Sequence, residues 1–158
     1  LDWESWRDAM LTGTGTLDLR LGGPASSIAD AANNRRSLYG ASDRQDMDPM
    51  LRIHDVPDPG AHNPWRSETI TPLQGLFALN SPFISRQADA IAARLLAKPN
   101  QTKADQIRLL FAELLQRSPT PLEFSTLSSF LTGGETSVAA WSQCAQALLA
   151  GNEMLFVD

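Results

Sequence analysis

Apolar residues recur at helical spacing through the second half of the chain and almost nowhere in the first. Ile84, Ala88, Ile91, Ala92, Leu95 and Leu96 fall at i, i+4, i+7, i+8, i+11 and i+12, a wide stripe along one helix face. Ile107, Leu110, Phe111, Leu114 and Leu115 repeat the pattern, as do Val138, Trp141, Ala145, Leu148 and Leu149, which end at Gly151-Asn152. Two shorter stripes are Leu73, Leu76 and Phe77, and then Leu127, Phe130 and Leu131, stopped by Gly133-Gly134. Burying one such side chain contributes roughly 1.5–3 kcal/mol, so five stripes of this kind are expected to pack against one another. Short links between them favour antiparallel neighbours.

The polar residues between the stripes mark helix starts. Thr71-Pro72, Ser81-Pro82 and Thr120-Pro121 each place a hydroxyl at the N-cap and proline at the first helical position. The hydroxyl accepts from a free backbone N–H, and proline has no N–H to leave unpaired. Thr120 followed by Glu123, and Thr102 followed by Asp105, have the spacing of reciprocal capping. Ser118-Pro119 reads as a link. A regulatory phosphosite at these pairs finds no support in the surrounding residues.

Residues 1–70 read differently. A helix over Trp3–Leu11, capped by Asp2, puts Trp3, Trp6 and Met10 on one face before GTGT breaks it. Leu17–Leu21 alternates like a half-buried strand and ends at Gly22-Gly23-Pro24; Arg35–Tyr39 is a second short strand able to pair with it. Asp48-Pro49 opens one helical turn through Ile53. HDVPDPGAHNPWR, residues 54 to 66, is a loop, since its prolines and glycine forbid regular structure. The expectation is one mainly α domain over 1–158: an irregular half, 1–70, that includes a short two-stranded β ribbon, and a helical half, 71–158, forming a small bundle of four or five helices. Leu1 stands in place of Met at the edge of a helical pattern, so the stretch is expected to be a piece of a longer protein.

Composition changes this picture little. Hydrophobic residues make up 42% and charged residues 20% of 158, the balance of a globular chain. A net charge of −5 argues against a broad nucleic-acid footprint, which needs clustered cations. No apolar run approaches the roughly 20 residues needed to span a bilayer, so membrane insertion is not expected. The single cysteine, Cys144, excludes an intramolecular disulfide, a haem-attachment pair and a Cys-rich zinc site. Its place between Trp141 and Leu148 makes it a core residue.

Candidate chemistry gathers in the proline-rich loop. His54, Asp55, Asp58 and His62 are metal-ligand types, but their spacing matches no zinc motif, and a solvated loop is the simpler reading. No metal site is expected. Asp43, Asp46 and Asp48 lack the glycine and glutamate of a calcium loop. GTGTLD lacks the third glycine of a dinucleotide fingerprint and carries Asp18 in its place. Arg35, Arg36 and Arg66 are expected to pair with Asp18, Asp55 or Asp58 and pin the loops, with anion binding as the lesser alternative. Trp65 is a stacking platform if the loop binds a ligand.

LDWESWRDAML, LDLRLGGP, RRSLY, DVPDP…RSETITPLQGLFALNSPF and ALLAGNEMLFVD occur in that order. The combination resembles the C-terminal planctomycete-specific domain of large bacterial proteins that also carry cytochrome-C-like domains. Members of that family often have a cysteine before a Pro-Arg-Arg-like stretch, where this chain has Asn63-Pro64-Trp65-Arg66. The resemblance implies that this stretch is the C-terminal part of a longer domain, since family members carry a helical section before the LDWES-like stretch; it implies no reaction. It implies an exported or periplasmic setting, although these residues carry no signal-peptide pattern, and haem on a sister domain with no cofactor in this stretch. The function expected is an accessory or interaction module that packs against other domains of its parent chain. The alternative is an enzyme or glycan-binding module acting on extracellular polysaccharide through the His54–Arg66 loop.

Overall fold

The computed structural model describes residues 1–133 and 137–156, and it is mainly helical. The five expected stripes become α3 (Pro72–Asn80), α4 (Pro82–Leu96), α5 (Lys103–Leu115), α6 (Pro121–Gly133) and α7 (Val138–Leu149). Before them come α1 (Trp3–Thr14) and α2 (Pro49–Ile53), and after them the short α8 (Asn152–Leu155). Gly134, the second glycine of the expected stop, lies outside the described residues.

The helix starts follow the capping chemistry. Thr71 Oγ1 accepts from Gln74 N while the Gln74 side chain accepts from Thr71 N, and Thr102 with Asp105 repeats the arrangement. At α6, Glu123 N donates to Thr120 Oγ1 at 3.3 Å and Thr120 N donates to Glu123 Oε2 at 2.6 Å. Ser81 and Asp48 cap α4 and α2. Asp2 accepts from Ser5 N, as expected. Thr14 ends α1 three residues beyond the expected boundary. Glycine at 13 tolerates a helix, and the stop comes at Gly15, whose φ of 73° suits a residue without Cβ. A Cβ there would also meet the Arg94 guanidinium at 2.8 Å.

The core is built on α4, which packs mainly against α7. Ala88 and Ala92 on α4 and Ala145 on α7 are small and fully buried, which lets the two backbones approach closely. Ile84, Ile91, Leu95, Ile107, Leu110, Phe111 and Trp141 fill the space around this seam. From the first half, α1 adds Trp3, Trp6, Met10 and Leu11, so one core spans both halves.

Three expectations about burial fail. Leu73 and Leu76, assigned to the buried face of α3, are 57% and 55% exposed; Ala78 is the buried residue and Phe77 is half-buried. Phe130 on α6 and Val138 at the start of α7 are also exposed. Periodicity identifies residues that share a face, but it carries no information on whether another element covers that face.

The β ribbon contracts to two isolated parallel bridges, Asp18 with Arg35 and Ser26 with Gly40. Leu17 packs half-buried against the core, but Leu19 and Leu21 are exposed, so the alternation is covered only at its start. Ser37–Tyr39 closes as a 3-10 turn instead of a strand. Arg7 holds this segment in place. Its guanidinium, on α1 and fully buried, donates through Nη1 to the Arg35 carbonyl at 2.7 Å and to Ser37 Oγ at 3.2 Å, and through Nη2 to the Asn33 carbonyl. Next to it, Asp8 accepts from the Ser37 N–H and hydroxyl, both at 2.8 Å.

Candidate functional site

The loop after α2 divides the expected site residues into two sets. His54 turns inward. Its Nδ1–H donates to the Met50 carbonyl at 2.8 Å, and its ring packs among Trp3, Trp6 and Phe77 at centroid distances of 4.3, 6.1 and 4.6 Å. Nε2 is buried with no hydrogen-bond partner among the described residues. Burial therefore pushes the imidazole below its ordinary pKa, against the pull of the Met50 carbonyl and the Asp55 charge. A neutral, enclosed imidazole of this kind reads as a core aromatic, and it is removed from any solvent-facing chemistry.

Asp55, Asp58, Trp65 and Arg66 face outward and line one open cleft of about 310 Å³, together with Met47, Arg52, Val56, Pro57, Asn63 and Ser67. The cleft walls are braced by the loop's own polar groups. Asp55 has a φ of 55°, and its Oδ2 accepts from the N–H and hydroxyl of Thr69, each at 2.7 Å. Asp58 Oδ1 accepts from Gly60 N at 2.8 Å, and its carbonyl accepts from Asn63 Nδ2 at 2.9 Å. Gln74 extends the bracing from α3: its Nε2 donates to the Ile53 carbonyl at 2.9 Å. The Asn80 amide, by contrast, donates to the Leu76 carbonyl of its own helix at 2.9 Å.

The arginines pin loops, as expected, but with other partners. Arg66 Nη2 donates to Glu4 Oε2 at 2.8 Å, and Nη1 lies 3.8 Å from Asp2, so the loop is tied to the start of α1 instead of to Asp18, Asp55 or Asp58. Arg35 donates to the Pro24 carbonyl at 2.9 Å and to the Gly22 carbonyl, and stacks 4.3 Å over Tyr39. Asp18 instead binds Arg20, which holds its carboxyl down to about 2. Arg36 and His62 are exposed and away from the lining of the cleft. Of the eight expected residues, four thus share one cleft and four do not. Among the described residues, no group of three or more His, Cys, Asp or Glu side chains is placed to hold a metal ion.

Sequence reasoning missed Arg52 and Asn63 on the cleft, and the two buried polar hubs. Arg7 and Gln87 both sit on apolar stripes: Arg7 is four residues after Trp3, and Gln87 is three after Ile84. That placement was the available sign of burial. Gln87 Oε1 accepts from Thr14 Oγ1 at 2.9 Å and Thr16 Oγ1 at 2.5 Å, which joins α4 to the end of α1. A separate ionic cluster, Arg117 with Glu123 and Glu153, joins the α5–α6 link to α8 and holds Glu123 down to about 2. Arg117 and Glu123 are half-buried, Glu153 is exposed, and their charges pair with one another, which marks the cluster as a surface clamp.

No curated protein and no solved structure matches this chain. A family model matches residues 1–131, from the start of the chain through Leu131 of α6, and so includes the loop and the whole cleft lining. α7 and α8 lie beyond the match. The chain therefore belongs to the family described as PSD1, proteins of unknown function (DUF1553).

Proposed function

We propose that this domain is an accessory or interaction module whose α3 face packs against another domain of a longer parent protein. One observation carries the reading. Ile70, Leu73, Leu76 and Leu79 are 81%, 57%, 55% and 61% exposed on and just before one short helix. Large apolar side chains clustered on a surface lose the stabilisation that burial would give, and such clusters mark contact sites. The helix beneath them is firmly seated: Gln74 ties it to the end of α2, and Gln146 Nε2 donates to the Leu79 carbonyl at 2.8 Å from α7. The apolar stripe is thus presented on a fixed support.

The resemblance to planctomycete proteins with cytochrome-C-like domains supplies the setting proposed for this module: an exported, multidomain chain, with any haem on a sister domain. Amide hydrogen exchange tests the contact. Exchange across 72–80 is expected to be slower in the longer protein than in the isolated 158-residue chain. Equal rates in the two would overturn the reading.

A further inference from the structure

We infer that the cleft beside Trp65 binds a neutral polysaccharide, taking the apolar face of a pyranose ring against the indole. The chain has four tryptophans, and three of them, Trp3, Trp6 and Trp141, are buried. Trp65 is 84% exposed and lines the cleft. A lone exposed tryptophan needs no explanation, but this one stands on a braced wall among planar polar side chains. The C–H groups on one face of a sugar ring pack on an aromatic surface, while its hydroxyls at the ring edge need donors and acceptors.

The lining supplies both. Asp55, Asp58 and Arg66 are committed to Thr69, Gly60 and Glu4, and they stiffen the cleft. Arg52 is exposed and takes part in no ion pair among the described residues, so its guanidinium is free to donate to vicinal hydroxyls. Asn63 spends its amide N–H groups on the Asp58 and Ala61 carbonyls, which leaves its Oδ1 as an acceptor. A volume of about 310 Å³ is at the small end for a ligand site, and an open wall lets a polymer continue past it. The lining holds two carboxylates, Asp55 and Asp58, and two guanidinia, Arg52 and Arg66, a balance that favours an uncharged ligand over a polyanion, in line with the net charge of −5. Backbone bracing before binding lowers the ordering cost that a weak, stacking-dominated contact would otherwise carry.

This inference uses different residues from the α3 reading, and each stands or falls alone. Affinity electrophoresis of the whole chain through gels containing cellulose derivatives, xyloglucan, mannan, xylan or agarose tests it. Retardation is expected in at least one gel. Trp65→Ala should abolish it, Arg52→Ala should weaken it several-fold, and Leu122→Ala, an exposed change on α6, should leave it unchanged. Native circular dichroism of each variant separates lost binding from lost folding. Retardation in none of the gels, or retardation that survives Trp65→Ala, would overturn the proposal. So would a Trp65-dependent fluorescence change with a proline-rich peptide in the absence of any polysaccharide effect, which would make the indole a peptide platform.

Discussion

The helical half and the irregular half solve the same problem by different means. Around α4 and α7, stability comes from area: Ala88, Ile91, Ala92, Leu95, Trp141 and Ala145 are removed from water together. Between Thr16 and Met47 there is little apolar side chain to bury, and the backbone is held by hydrogen bonds that converge on Arg7 and Asp8. Area-based packing is shared among many residues, so truncating one of them weakens the whole bundle together. A polar hub concentrates the load on one side chain, because each carbonyl it leaves behind would stay buried and unpaired. The candidate cleft, lined by residues 47–67, is likewise shaped by a few directed bonds, those of Asp55, Asp58 and Gln74.

Several substitutions separate the two regimes. Trp141→Ala should cost the most, about 4 kcal/mol, by opening a cavity in the α4–α7 seam. Urea unfolding should show one lowered midpoint for the whole chain. Arg7→Ala should cost about 3 kcal/mol, and Arg7→Lys should recover little, since one ammonium nitrogen does not replace the two separated guanidinium nitrogens that reach Arg35 and Asn33. Limited proteolysis should then cut within 16–48 before the helical half opens. Simultaneous loss of both halves would show that the hub is no more local than the core.

A smaller effect comes from pH. The folded-state pKa of His54 lies below its ordinary value of about 6.5, so the unfolded chain takes up the proton more readily. Stability contributed by neutral His54 is present above that value and falls as pH drops below it. His54→Phe, which keeps an aromatic ring in the cage, should flatten the change in urea midpoint between pH 7.5 and 5.5. An unchanged slope would place the pH dependence elsewhere. Thr120→Ala should lower stability by about 1 kcal/mol through loss of the α6 cap, as read by the same unfolding midpoint.

Local chemistry explains which parts of the fold were legible in the sequence. A capping box spans four residues, and its chemistry is complete within them, so the starts of α3, α5 and α6 could be read directly. The long stripes of α4 and α5 could be read because a wide apolar face has few alternatives to burial. The exposure of Leu73 and Leu76 depends on what stands opposite them, and that is a property of tertiary arrangement. The site was half legible for the same reason. Proline density fixed residues 54 to 66 as a loop, and four of its candidate side chains do share a cleft. His54 went the other way because the cage of Trp3, Trp6 and Phe77 is assembled from distant segments. Arg52 was overlooked because it belongs to the helical turn before the loop.

Cys144 has a practical consequence. It is a lone thiol, buried on α7, and burial pushes its pKa up to about 11. At neutral pH it is a protonated thiol buried in the core cluster, and a thiol-directed reagent gains access to it as the bundle opens. The wild-type chain thus carries its own clock for opening of the bundle. The labelling rate at Cys144, followed while the loop is mutated or a polysaccharide is added, would report whether events at the cleft are felt in the helical half.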